Sequence, residues 1–390
     1  MGLIYAEHTF QQISIFNQGA LPIDFLVSII CFLNGKFDVG LIVHLPLLKL
    51  HLMVLFKEEG IYFPAADLYI DPWKPVQRAV ITHGHSDHAR PGMGSYLCHP
   101  LTKEILRYRL GPDIQVQTLD YNVPLVINGA TISFHPAGHI IGSAQVRLEY
   151  KGEVWVITGD YKLNNDLVST PYEPVQCHSF LTESTFGLPV YQFQPCATIY
   201  EEINHWCAAN ARQGLNSVLI GYALGKSQNI LANLDPELGV PLLHGAVFNM
   251  NEALAGSGIC FPGEWLTPET PKERLKNAVI IAPQSVLGSP WLRKLQPYRI
   301  AVCSGWMALR GPRRRLSVDK GFALSDHCDF EQLNTAIKAT GAENVYVTHG
   351  YQAVYSKWLC EAYGLRAVEL KTQFDSIEET LAADSTNPTA

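Results

Sequence analysis

Three histidines and an aspartate fall within six consecutive residues, His83-Gly84-His85-Ser86-Asp87-His88, directly after the short strand expected from Ala79 to Thr82. A strand that ends in such a turn can aim imidazole and carboxylate groups at more than one point in space. Those groups suit zinc or manganese, and no soft thiolate is needed. A solvated histidine-rich turn is the alternative, and the spacing with a strand immediately before it argues against that. The feature calls for a fold in which several strand ends meet and complete a metal site.

Other strand ends have the same character. Ala66 to Ile70 leads to Asp71, and Thr131 to His135 leads to Ala137-Gly138-His139. Val154 to Thr158 ends at Gly159-Asp160, and Ser179 to Thr182 ends at Glu183. Later, Phe322-Ala323-Leu324 runs into Ser325-Asp326-His327, and Val345-Tyr346-Val347 into Thr348-His349-Gly350. Singly, His139 could be a surface histidine and Asp160 an ordinary turn former. Together they approach the about seven ligands, one of them bridging, that a two-metal site needs. Polar groups just past strand ends place one site at the edge of a sheet packed on a second layer.

Between these stretches the pattern changes. After Gly187, helical segments at Thr198 to Ala211 and Lys226 to Leu234 alternate with strands at Ser217 to Ile220, Ala278 to Ala282 and Arg299 to Cys303. This is α/β alternation of the parallel-sheet kind, and it sits inside a domain whose first pattern resumes at Phe322. Helices are also expected at Thr102 to Leu110, opened by a Thr cap and closed by Gly111, and at Gln352 to Tyr363. The 390 residues suit two or three domains at ~150 residues each.

Composition narrows the partners. With a formal net charge of -7, a nucleic-acid site has to be a local basic patch. The densest is Arg310-Gly311-Pro312-Arg313-Arg314-Arg315, just ahead of His327. Nine cysteines include no Cys-x-x-Cys pair, which argues against a disulfide framework and for a reducing cytoplasm. The apolar runs Phe25 to Leu33 and Leu41 to Leu52 are shorter than the ~18–20 residues of a membrane span. No lysine or arginine precedes Lys36, so a secretory signal is a poor reading too. Met53 is the expected natural start, with residues 1–52 an upstream extension and an extra packed helix the alternative. The tail 375–390, acidic and rich in Ser, Thr and Asn, is expected to be disordered.

His-x-His-x-Asp-His is the signature of the metallo-β-lactamase fold, and the later motifs follow in order, so the chain resembles that superfamily. Glu183-Ser184-Thr185-Phe186-Gly187, Ser325-Asp326-His327 and Thr348-His349-Gly350 resemble the three motifs special to its β-CASP nucleases. Asp71-Pro72-Trp73-Lys74-Pro75 and the run from Ser304-Gly305-Trp306-Met307 to Arg315 are most similar to the bacterial ligase-associated DNA exonucleases, also described as mRNA 3′-end processing-like factors. The resemblance implies an αββα sandwich in two parts, 53–190 and 319–374, interrupted by an inserted α/β β-CASP domain at 191–318. It implies two divalent metals, zinc first and manganese second. His83, His85 and His139 would hold one, Asp87, His88 and His349 the other, and Asp160 would bridge them. Asp71 would support the histidine loop. His327 would be the general acid, oriented by Glu183, with Asp87 also counted as catalytic.

Two further features are read as substrate contacts. The arginines 310, 313, 314 and 315 would meet backbone phosphates. Gly221-Tyr222-Ala223-Leu224-Gly225-Lys226-Ser227 has three residues between its first glycine and Gly-Lys where a Walker A loop has four, so nucleotide hydrolysis is rejected. Lys226 and the helix start could still meet a phosphate. The leading function is hydrolysis of DNA at an end or single-stranded stretch, with RNA second and a DNA ligase or helicase as partner by resemblance. A lactone or thioester hydrolase is the alternative enzyme class, and would need neither insert, Glu183, His327 nor arginine run. A non-catalytic scaffold would be expected to lack ligands that are all present.

Overall fold

The computed structural model describes residues 53–311, 316 and 318–370. The proposed extension 1–52, the arginines 313–315 and the tail 375–390 lie outside the described residues. The fold is mixed α/β with three sheets.

The first sheet has six strands in chain order, from Leu55–Lys57 to Val116–Thr118. The second has seven. A meander of Leu125–Ile127, Ala130–Pro136, Ala144–Tyr150 and Glu153–Ile157 is followed across the sheet by Ser179–Ser184, Asn344–Gly350 and Arg366–Glu369. The meander is antiparallel, and the last three strands add in parallel. Alternation sets which face is which. In Ala130–Pro136 the residues Ala130, Ile132 and Phe134 enter a core shared with Phe63, Leu68 and Ile70 of the first sheet. The two sheets therefore pack face to face. Met53 and Val54 lie in the same core.

Helices cover the outer faces. Leu106 of the helix Pro100–Leu110 packs with Ala79, Ile81 and Tyr96 behind the first sheet. Leu333 and Ile337 of Phe330–Thr340, with Tyr355 and Leu359 of Gln352–Tyr363, cover Phe180 and Val345 of the second. A fully buried side chain such as Phe134 or Phe180 contributes about 1.5–3 kcal/mol.

The helix expected from Thr102 begins instead at Pro100, with His99 as its cap: its Nδ1 accepts from the amide of Leu101 at 3.3 Å. Proline at the first helical position loses no hydrogen bond, which favours this earlier start. Thr102 is buried and donates its hydroxyl to Gly142 O at 2.8 Å.

The third sheet is all parallel, in the order Glu264–Trp265, Leu242–Leu243, Val279–Ala282, Asn216–Ile220, Tyr298–Cys303 and Lys320–Phe322. Asn216–Ile220 and Val279–Ala282 are buried at every residue, as strands covered on both faces are. The helices Cys196–Arg212 and Lys226–Ala232 pack on one face. All its strands come between Ser179–Ser184 and Asn344–Gly350, which are direct neighbours in the second sheet. The C-terminal ends of the parallel strands thus lie in sequence next to the turns at Leu224 and Asp326.

Candidate metal centre

The histidine-rich turn is held by Asp71. Its carboxylate accepts from the Thr82 amide at 2.8 Å and the Thr82 hydroxyl at 2.6 Å, and lies 2.7 Å from His88 Nδ1. Thr82 is crowded from the other side by Gly159, whose φ is +56 and whose Cβ, if present, would stand 2.4 Å from Thr82 Oγ1. Gly159→Ala is therefore expected to destabilise the fold by about 1–3 kcal/mol, read as an earlier midpoint in denaturant unfolding. An unchanged midpoint would mean that Thr82 yields freely.

Four side chains converge beyond this turn. His83 Nε2 and His139 Nε2 stand 3.2 and 3.1 Å from His85 Nδ1, and each is 3.5 Å from Asp160 Oδ2. Two ligand atoms on one tetrahedral zinc, each at the usual ~2.0–2.1 Å, are about 3.3 Å apart. The outer ring nitrogens settle the tautomers. His139 Nδ1 is 2.8 Å from Asp326 O, and His85 Nε2 is 3.2 Å from Leu224 O. A carbonyl only accepts, so those nitrogens carry the protons and the opposite lone pairs face inward. Burial pushes His83 well below the ordinary imidazole range, and burial with the neighbouring His327 lowers His139 to about 3. Imidazole lone pairs that converge repel one another unless an electrophile lies between them. The donor set fits a metal ion.

A second group shares the same aspartate. Asp160 turns Oδ1 toward His88 Nε2 at 3.4 Å, and His349 completes a close set with His88 and Asp160. His88 Nε2 is buried without a hydrogen-bond partner, as a ligand atom would be in the protein alone. Asp87 stands apart from both groups: it is half-exposed, and its Oδ2 is 3.8 Å from His88 Nε2. His349 is placed by a close approach of two strands. Its φ is +54, Ser184 Oγ donates to its carbonyl, and a Cβ on Gly350 would lie 2.4 Å from Ser184 O. The register shift between Glu183 and Ser184 at this point puts Glu183 and His349 at one sheet end.

Beside the metal-type cluster lies a dyad. Glu183 is buried, accepts from the Tyr161 amide at 2.9 Å and from the Thr185 hydroxyl, and faces His327 Nδ1 at 2.9 and 3.0 Å. Burial disfavours the imidazolium of His327, but the carboxylates of Glu183, Asp160 and Asp326 outweigh it and hold its pKa up to about 10. Its imidazole is therefore charged at neutral pH. Its ring centroid is 4.7 Å from that of His139.

Lys226 is not an exposed phosphate contact. It is 1% exposed, and its Nζ is 2.9 Å from Asp326 Oδ1. The reason is tertiary: the strand end that carries Asp326 arrives beside the helix start. Arg310 is exposed, while Arg313, Arg314 and Arg315 lie outside the described residues. Sequence reasoning passed over Lys162, a buried lysine whose Nζ donates to Ser325 O at 2.6 Å, and gave Asp326 no role. Asp326 could have been noticed inside its motif; nothing local marks Lys162.

No protein-family model matches the chain. Among curated proteins it is 30% identical over 311 residues to a "Probable DNA ligase" of Opitutus terrae, covering 79% of this chain and 30% of that protein. It is 28% identical over 123 residues to "Endoribonuclease YSH1" of Saccharomyces cerevisiae, covering 31% of this chain and 16% of that protein. With the protein of the same name from Mycosarcoma maydis the identity is 24%, over 73% of this chain and 42% of the relative. The chain thus spans less than half the length of these relatives. A solved structure of a protein of unknown function from Enterococcus faecalis V583 has a TM-score of 0.50 at 13% identity, covering 69% of this chain and 74% of that one, a likeness of fold alone. Together with the ordered motifs, these relatives support a resemblance to the β-CASP nucleases of the metallo-β-lactamase superfamily, and among them to the ligase-associated exonucleases.

Proposed function

We propose that the protein is a two-metal phosphodiesterase acting on nucleic acid, with DNA ends as the favoured substrate and zinc as the first-choice metal. The face-to-face sheets with their outer helices are read as the αββα sandwich, in parts 53–190 and 319–374. The parallel sheet is then the β-CASP insert at 191–318.

One observation carries this reading: His83, His85 and His139 converge on Asp160, and beside them stands His327, its imidazole backed by the buried carboxylate of Glu183. Bound divalent metals supply an activated water and neutralise phosphate charge. His83, His85, His139 and Asp160 would hold one ion. His88, His349 and Asp160, with Asp87 after a modest side-chain movement, would hold the second. His327 has Nδ1 committed to Glu183, so Nε2 carries the proton available to a departing sugar oxygen. A sugar alkoxide is a poor leaving group and profits from that proton. A lactone or thioester hydrolase has no such need.

The match to a protein named as a probable DNA ligase favours DNA and a ligase as working partner. No helix of the described residues is long and apolar enough to cross a membrane, and the eight described cysteines are free. The relatives named as endoribonucleases support RNA as the second reading. End-labelled single- and double-stranded DNA and RNA, incubated with zinc or manganese and run on a gel, separate these outcomes. Metal-dependent shortening of DNA from an end supports the proposal, RNA cleavage alone supports the second reading, and no cleavage of any polymer overturns both.

The arginines at 310, 313, 314 and 315 are assigned to the polymer backbone. Neutralising two of them should flatten the log-log salt dependence of single-strand binding by about one to two units, at ~0.7 per phosphate contact. An unaltered slope would make the run a solvated loop.

A further inference from the structure

The turn Gly221-Tyr222-Ala223-Leu224-Gly225-Lys226 follows the strand Asn216–Ile220 of the parallel sheet and opens the helix Lys226–Ala232. Three consecutive residues of it reach the metal-type cluster, each by a different kind of contact. Leu224 O faces His85 Nε2 at 3.2 Å. Gly225, at φ +87, leaves no room for a side chain: a Cβ there would be 2.4 Å from Ile140 Cγ2, on the residue after His139. Lys226 is buried with its Nζ 2.9 Å from Asp326 Oδ1, and the carbonyl of Asp326 faces His139 Nδ1 at 2.8 Å.

We propose that Leu224-Gly225-Lys226 is a positioning clamp for the ligand group of His83, His85 and His139, with Lys226 as its anchor. The inference rests on reading those histidines as ligands of one metal. An imidazole serves as a ligand only when the other nitrogen is held in the right tautomer and orientation, and loss of that outer partner typically costs 10–100-fold in metal affinity. Here the outer partners are backbone carbonyls, which have no freedom to follow the ring if their own segment drifts. Lys226 fixes one such segment: its ammonium ties down Asp326, and with it the carbonyl that orients His139. A buried ion pair adds little net stability against the cost of desolvating both charges, so positional fixing is the better account of its presence. The pair has a second consequence. Asp326 Oδ1 is 3.8 Å from His327 Nε2, and a carboxylate released from Lys226 is free to turn and capture that proton.

The clamp comes from the parallel sheet, whereas His85 follows the first sheet and His139 the second. The predicted signature is therefore selective: disturbing the turn should weaken one metal site and spare the group of His88 and His349.

The test uses the full chain with Gly225→Ala, Lys226→Met and the double variant Lys226→Met/Asp326→Asn. Cobalt(II) replaces the native metal, and its visible absorption is followed against a competing chelator, with circular dichroism confirming that each variant is folded. Gly225→Ala and Lys226→Met should each weaken one of two cobalt sites by about 10–100-fold and leave the other unchanged. The double variant removes both charges and should recover part of the loss; it decides the matter if Lys226→Met does not fold, because it leaves no buried charge unpaired. Folded variants that keep wild-type affinity at both sites, or lose both equally, overturn the clamp. A wild-type protein that binds no cobalt overturns instead the metal reading on which the clamp rests.

Discussion

Asp160→Ala should take hydrolysis to background and lower the metal content of the purified protein. Asp160 is 6% exposed and turns Oδ2 to His83 and His139 and Oδ1 to His88. Among the described residues it is the one carboxylate common to the group of His83, His85 and His139 and the group of His88 and His349. Burial alone would raise its pKa, yet His88 and His327 hold it well below the ordinary carboxylate range, so a full negative charge sits at the centre of the cluster. Removing that charge leaves imidazoles as the main ligands of two dications in a poorly solvated site. The loss should exceed the roughly 10–100-fold that follows removal of an outer hydrogen-bond partner. His83→Ala, which deletes a fully buried imidazole of the candidate site, should behave the same way. Metal analysis of the three proteins and a cleavage assay check both variants. Two ions per chain in wild type and unchanged content in the variants would sink the ligand assignment.

His327→Ala should keep metal and fold but slow cleavage by ~10²–10⁴-fold, the usual range for a lost general acid. The ring is one-fifth exposed, unlike its buried partner Glu183, so truncation removes little packing. The diagnostic lies in the leaving group. A diester that releases p-nitrophenolate needs no proton, and its hydrolysis should suffer much less from the substitution. An equal loss on both substrates would show that His327 binds the substrate rather than protonating it. Glu183→Gln should reproduce part of the effect, because an amide no longer holds the imidazolium by charge.

Local patterns were legible where they were long enough to repeat. Ala130–Pro136 alternates apolar and polar residues over most of its length, Glu153–Ile157 carries a continuous apolar run, and Gln352–Tyr363 is long enough to show a helical face. Leu55–Lys57, Val116–Thr118 and Leu125–Ile127 have three residues each, too few for a period of two to stand out. The helix Phe330–Thr340 was overlooked although its ends carry ordinary signals, Asp329 as cap and Gly341 in the left-handed conformation after its last turn.

By itself the sequence determined the chemistry available: imidazoles and carboxylates at successive strand ends, and a glycine-rich turn with the wrong spacing for a nucleotide loop. These are properties of residue type and short-range order, so they survive in one dimension. Tertiary structure alone decided which groups meet and in what state. It turned Lys226 inward to Asp326, aimed Leu224 O at His85, left Asp87 outside both clusters, and backed His327 with a buried Glu183. Burial and hydrogen-bond direction depend on which distant segment supplies the partner. The same lysine, aspartate and histidine would be solvated and ordinary if the parallel sheet packed elsewhere.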